Sequence, residues 1–402
     1  MNDIATPERL AAPLPAAPLP AALASLRMRP LQPQELQALQ TPAYLFDPAV
    51  VCARYAALRA ALGTRLIVSL KANSLADLLL RCGASFRDGI ELASIGELEQ
   101  ALARVQAPRY VNNPAMDDAF MAAAQVSGCI FIVDSLQQAE RLAALPPGRQ
   151  AARVLLRLNV AAERGLAEAD QFGMGVADAL RAGRLLQAAG CELQGVHAFN
   201  GSHRLASDGI AHAQALAALL PALETGLAQR LPWLNLGGGF GEDWEDHPEP
   251  LRRYVASLAP LAEGRVLVHE AGRAIFGRAG VFVTRAVATK SLGTRRVVVC
   301  DGGIAQSFLL AGTESPLKRL RAPRLVPERS AGEAVPELRF VGSSCSRQDV
   351  IGRIAPPGGT ALQPQPGDHC VFDDCGAYHS SYTVAGFLRL PAARLYLRAE
   401  AL

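Results

Sequence analysis

The sequence predicts a (β/α)8 TIM barrel followed by a C-terminal β domain, on three observations. From Leu66 to Glu270, short apolar runs ending in polar or glycine residues alternate with Ala/Leu-rich helical stretches. Eight such units follow one another over about 210 residues, the count and length of a closed barrel; an open doubly wound sheet would host the same alternation without a reason to stop at eight. After about Thr284 the helical pattern ceases and strand-like runs follow, joined by Pro- and Gly-rich connections.

Each element has its own signal. The strand candidates are 66–70, 89–93, 109–112, 129–134, 154–159, 195–199, 233–236 and 266–270, all short and rich in Val, Ile and Leu. Between them, 94–105, 135–144, 177–189 and 209–228 carry apolar residues at three- and four-residue spacing, the mark of a helix face. In the last third, V-F-V-T-R-A-V-A-T-K, T-R-R-V-V-V-C-D-G-G, P-E-L-R-F-V-G and H-C-V-F-D-D-C-G-A-Y read as strands, and Tyr44–Phe46 is expected to add one more to the β domain. The polar, Pro-containing stretch 321–337 reads as an exposed loop. Residues 1–40 read as a loosely ordered extension, 41–285 as the barrel and 286–402 as the β domain.

Composition excludes several classes of function. With 402 residues, half of them hydrophobic, two domains are the expectation. A net charge of +3 without a basic stripe argues against nucleic acid. No run is apolar enough to span a membrane, and the N-terminal stretch lacks a basic segment and is broken by prolines, so it makes a poor signal peptide. Eight cysteines lie scattered without C-x-x-C spacing, which reads as free thiols in a reducing cytoplasm rather than a disulfide or metal framework.

The chemistry collects where barrel strands end. The first strand runs into Lys71, which reads either as a solvated strand-end lysine or as an easily desolvated amine nucleophile and Schiff-base former. Glu91 stands on the second strand and Arg157 on the fifth. The sixth carries His197 and Phe199, which share a face by period two. The seventh ends in Gly237-Gly238-Gly239, either a tight turn or a phosphate cradle whose amides close around an anion. The eighth ends in Glu270-Ala271-Gly272-Arg273. There Glu270 reads either as a partner of Arg273 or as an acid facing a cofactor nitrogen. Lysine, cradle and acid together fit pyridoxal phosphate: Lys71 joined to the cofactor, the glycines and Arg273 on the phosphate, Glu270 on the ring nitrogen. A carboxylate there keeps that nitrogen protonated, which suits decarboxylation.

Seven motifs in order carry a resemblance: V-S-L-K-A-N, I-E-L-A-S-I-G-E-L, G-V-H-A-F-N-G-S, L-N-L-G-G-G-F-G, H-E-A-G-R, V-G-S-S-C-S-R-Q-D-V-I-G and D-D-C-G-A-Y. Over roughly residues 41–390 the chain resembles the fold type III pyridoxal-phosphate-dependent amino-acid decarboxylases, the group of diaminopimelate and ornithine decarboxylases. The resemblance implies that Lys71 carries the cofactor, that Ser202, Gly239, Arg273 and Tyr378 hold its phosphate, and that Glu270 faces the pyridine nitrogen. It extends the cofactor set to Arg157, His197, Phe199, Gly237, Gly238 and Gly272. It also implies that Cys345 reprotonates the product from across a homodimer interface, so that active sites are shared between subunits; read alone, Cys345 is a packing cysteine. Three positions depart from the family pattern. Ala271 replaces a proline, Glu91 replaces an aspartate, and Phe199 stands where a histidine usually stacks on the ring.

Ser346, Arg347 and Asp349 are the expected substrate-binding residues. Where relatives carry an acid for a distal amine, this chain has Ser346 and then Arg347, which either meets an anionic distal group or lies in solvent. With Phe199, this resembles a branch found in secondary-metabolite pathways. The expected substrate is an amino acid or amino-acid conjugate such as a citryl-diaminopropionate-like siderophore intermediate, with diaminopimelate as the alternative. Two other classes share the architecture. An alanine-racemase-like enzyme is disfavoured by Glu270, and a non-catalytic cofactor-binding or regulatory relative would need neither Lys71 nor Cys345. No metal site is expected.

Overall fold

The computed structural model describes residues 26–146, 148, 150–165, 170–311 and 320–399. They divide into two compact units, one holding Cys52–Ile275 and the other Ala24–Val51 with Phe276–Leu402. The first strand, β1 (Ala43–Phe46), belongs to the second unit.

The first unit is a closed barrel of eight parallel strands. They are β2 (Arg65–Ser69), β3 (Ile90–Leu92), β4 (Arg109–Val111), β5 (Ile130–Val133), β6 (Arg153–Leu158), β7 (Glu192–Ala198), β8 (Trp233–Asn235) and β9 (Val266–Ala271), with β9 closing on β2. Parallel strands covered by helices are buried on both faces, which is why they read as continuous Val/Ile/Leu runs. Ile67, Tyr110, Ile130, Ile132, Leu155 and Val268 form one cluster of buried residues drawn from five of these strands. The helices start where the sequence offers caps. Ser94, Asp117 and Ser135 accept from the backbone N–H of Glu97, Phe120 and Gln138 respectively.

In the second unit, β1 pairs with β10 (Gly280–Leu292). The other strands are β11 (Arg295–Cys300), β12 (Arg324–Val326), β13 (Ser330–Val335), β14 (Glu337–Val341), β15 (Val350–Ile354), β16 (Thr360–Leu362), β17 (His369–Phe372) and β18 (Arg394–Leu397). An eight-stranded sheet runs β12-β17-β10-β11-β14-β15, with β1 added against β10 and β18 against β1, and β13 pairs with β16 apart from it. Stretch 321–337, expected as an exposed loop, instead supplies β12 and β13. A polar, Pro-containing stretch reads as loop, yet β12 gains its partner from β17, more than forty residues further on, which local pattern does not reveal.

Of the extension expected over residues 1–40, residues 1–25 lie outside the described residues. The remainder is packed rather than loose. Pro33–Gln37 is helical, and Leu31, Leu36 and Leu39 are buried with Leu45, Val281, Val283 and Val371. Among the described residues no helix is long and apolar enough to cross a membrane.

Candidate active site

Every barrel residue singled out from the sequence lies at or just beyond the C-terminal end of its strand. Lys71 sits two residues past β2, in a 3-10 turn (Leu70–Ala72) whose flanking residues are buried. The lysine itself is half-exposed, so of its two readings the fold presents the solvated strand-end lysine rather than the desolvated amine. It is held by charge instead, with Nζ donating to Glu91 Oε1 at 3.2 Å.

Glu91 on β3 is 1% exposed, and the same oxygen accepts from Asn112 Nδ2 at 2.8 Å. Asn112 Oδ1 accepts from Arg157 Nη1 on β6 (3.1 Å), which also donates to Asp134 Oδ1 beyond β5 (2.9 Å). Asp134 Oδ1 takes a further bond from Gly173 N, and the Arg157 guanidinium lies 4.4 Å from the Phe172 ring centroid. Polar contacts thus connect Lys71 to the ends of four further strands. A buried run of this kind has fixed geometry because each unmade bond in it would be costly. Glu91 Oε2 is buried without a partner among the described residues.

The other side of the barrel mouth is built around Glu270 on β9, 5% exposed. Its Oε1 accepts from Asn235 Nδ2 on β8 at 2.8 Å. His197 Nε2 on β7 lies 3.2 Å from the same oxygen but out of line for a hydrogen bond, and Nδ1 of that fully buried ring has no partner among the described residues. Burial pushes the Glu270 pKa up, but the His197 ring, Lys71 and the Asn235 amide outweigh burial and hold it below the usual carboxylate range. Asn235 Oδ1 also accepts from Gly237 N, and Gly237 O accepts from Glu270 N, so acid and glycine loop are fixed together.

The glycines are required sterically. A Cβ on Gly238 would lie 2.7 Å from Glu270 O. Gly239 has φ +96°, and a Cβ there would lie 2.9 Å from Gly201 O and 3.5 Å from Leu205 N. Leu205 opens the helix Leu205–Leu227, whose first amides have no intrahelical acceptor. The loops after β7 and β8 therefore meet at a helix N-terminus, a natural anion site. Ser202 is exposed in the first of these loops, and Asn200 Nδ2 is buried there without a partner among the described residues. Phe199 is half-buried, its ring edge beside Gly237. Gly272 packs against the lysine turn, for a Cβ on it would lie 2.6 Å from Ala72 Cβ; Arg273 follows, half-buried.

The remaining expected residues lie in the second unit. Cys345 is exposed in the loop between β14 and β15, with Ser346 half-buried and Arg347 exposed beside it. Asp349 is placed differently from its expected role toward substrate. It is 3% exposed, and its carboxylate accepts from Ile304 N (2.7 Å) and Ser344 N (3.0 Å), so it anchors this loop. Tyr378 is half-buried with φ +68°, a conformation uncommon for a bulky residue.

A cofactor with a phosphate and a ring nitrogen fits the barrel residues. The Asn200 donor, unpartnered among the described residues, and the glycine loop at Gly239 suit an anion, and the buried, charged Glu270 suits a protonated nitrogen. Residues 49–277 match the family described as pyridoxal-dependent decarboxylase, pyridoxal binding domain. The chain belongs to this family. It is similar to the diaminopimelate decarboxylase of Deinococcus radiodurans, 31% identical over 86% of this chain and 87% of the relative. It is also similar to the L-glutamyl-[BtrI acyl-carrier protein] decarboxylase of Niallia circulans, 28% identical over 88% and 87%. The lysine decarboxylase structure from Selenomonas ruminantium shares the fold with TM-score 0.77 and 23% identity, over 93% of this chain and 98% of that one.

As a pyridoxal-dependent decarboxylase, the chain is a pyridoxal-phosphate-dependent carboxy-lyase acting on an amino acid. Asn112, Asp134 and Asn235 were not singled out from the sequence. The first two end candidate strands, so the rule that found Lys71 could have found them. Asn235 is the last residue of β8 but one short of the end of its candidate strand, and its role shows in its bond to Glu270.

Proposed function

We propose that this decarboxylase acts on an amino-acid conjugate with an anionic distal group, such as a citryl-diaminopropionate-like siderophore intermediate. The observation that carries the reading is the loop at Cys345, which presents Arg347 to solvent and holds its one acid, Asp349, against backbone amides. A guanidinium favours carboxylate partners and disfavours a distal ammonium. The Niallia circulans relative, named for a glutamyl group joined to a carrier protein, supports a conjugated substrate. Diaminopimelate is the second reading, supported by the Deinococcus radiodurans relative.

Roles follow for the chain's own residues. Lys71 is the attachment point, and Glu91 holds its ammonium in place between turnovers. Bound pyridoxal phosphate supplies an electron sink for the charge left when the bond from Cα to its carboxylate breaks. Glu270 provides the fixed negative charge opposite the ring nitrogen, with Asn235 and His197 orienting it. Ser202, the Gly237–Gly239 loop, Arg273 and Tyr378 hold phosphate, and Phe199 packs on the ring without a proton to offer. Cys345 Sγ returns a proton to Cα in a homodimer with shared sites. Eight cysteines scattered without C-x-x-C spacing support a reducing compartment such as the cytoplasm.

The test is carbon dioxide release from citryl-diaminopropionate and from meso-diaminopimelate under identical conditions. Preference for the conjugate, weakened by Arg347→Ala mainly through KM, is the expected result. Rapid turnover of meso-diaminopimelate alone would overturn the reading.

A further inference from the structure

Behind the barrel mouth, on the helix Pro48–Leu62, Arg54 is fully buried. Its Nε donates to Ala274 O at 2.7 Å and its Nη2 to Glu242 O at 2.7 Å. The charge is met by Glu245, 3% exposed, whose two carboxylate oxygens lie 2.7 Å from Nη1 and 3.2 Å from Nη2. Trp244 completes the arrangement. Its ring centroid lies 5.8 Å from the guanidinium carbon, and its Nε1 donates to the same Ala274 O at 3.3 Å.

The two carbonyls gripped by one planar fork have informative neighbours. Glu242 directly follows the loop Gly237–Gly241, and Ala274 directly follows Arg273. Replacing a buried ion pair by apolar residues of similar volume is often neutral or stabilising, so stability alone does not account for an arginine here. What a planar fork with both edges engaged does specify is the separation and orientation of the groups it bonds.

We propose that Arg54, braced by Glu245 and Trp244, is a positioning residue that sets the glycine loop and Arg273 at the spacing a phosphate group requires. The proposal rests on the reading of those two segments as the phosphate site.

The experiment compares equilibrium dissociation constants for pyridoxal phosphate and phosphate-free pyridoxal, by dialysis against the full-length protein, for wild type and Arg54→Lys. Lysine keeps the charge and loses the fork. Affinity for pyridoxal phosphate is expected to fall by about tenfold or more while affinity for pyridoxal changes by less than about twofold. A purely structural role would weaken both ligands by the same factor, and that outcome overturns the proposal, as does unchanged affinity for pyridoxal phosphate. Should Arg54→Lys fail to fold, Trp244→Phe, which removes the bond to Ala274 O and shrinks the ring beside the guanidinium, is held to the same criterion with an expected loss of about threefold. Failure of the underlying phosphate-site reading looks different: wild type itself would then bind the two ligands equally.

Discussion

Glu270→Gln removes one charge and almost no volume. Burial would raise this carboxyl's pKa, yet the His197 ring, Lys71 and the Asn235 amide bring it down to about 2 from the usual 4.5. Glutamine can still accept from Asn235 Nδ2, now at 2.8 Å, so the site keeps its shape while losing its field. A charge-assisted hydrogen bond to a protonated ring nitrogen is worth about 1.5–3 kcal/mol, so losing it should slow decarboxylation about tenfold to a hundredfold. The assay is single-turnover carbon dioxide release at saturating cofactor, with cofactor occupancy followed by visible absorbance. A rate within about threefold of wild type at full occupancy would refute the electrostatic role assigned to Glu270.

Other outcomes follow from the same geometry. Lys71→Ala should abolish turnover and borohydride-trapped cofactor together; cofactor trapped on another lysine would remove Lys71 from its role. Asp349→Ala leaves the amides of Ile304 and Ser344 without their acceptor and should lower stability by about 2 kcal/mol, read from denaturant midpoints, while slowing any step that uses Cys345. Two buried histidines predict an acid-sensitive barrel. Burial pushes His212 down to about 4 and His269 down to about 3, so each stays neutral when folded but takes up a proton near 6.5 when unfolded. The unfolded chain therefore binds more protons below pH 6.5. Stability is full above that value and falls towards pH 4 by up to about 1.4 kcal/mol per pH unit for each histidine. Urea midpoints unchanged between pH 7 and 5 would contradict this.

Much of this was legible in the sequence because local rules suffice for it. Eight apolar runs ending in functional side chains identify a barrel and the face where its chemistry lies, since parallel strands buried on both faces have few alternatives in composition. Lys71, Glu270, Arg157 and the glycine loop follow from that rule alone. Stretch 321–337 and the segment around Leu36 were misread because their strands and helix owe their existence to partners far along the chain.

The tertiary structure decided what each side chain does. Asp349 and Arg347 are two residues apart, yet one carboxylate is spent on backbone amides while the other side chain is exposed. Arg54 and Glu245 are separated by 191 positions, and only folding brings guanidinium and carboxylate to 2.7 Å. Hydrogen bonding and desolvation act over a few ångströms, and a sequence orders residues along the chain without stating which of them will come within that range. The sequence alone determined the barrel and the residue types at its mouth. The packing of those residues determined which acid stays charged, which lysine is held by an ion pair, and which arginine braces the loops.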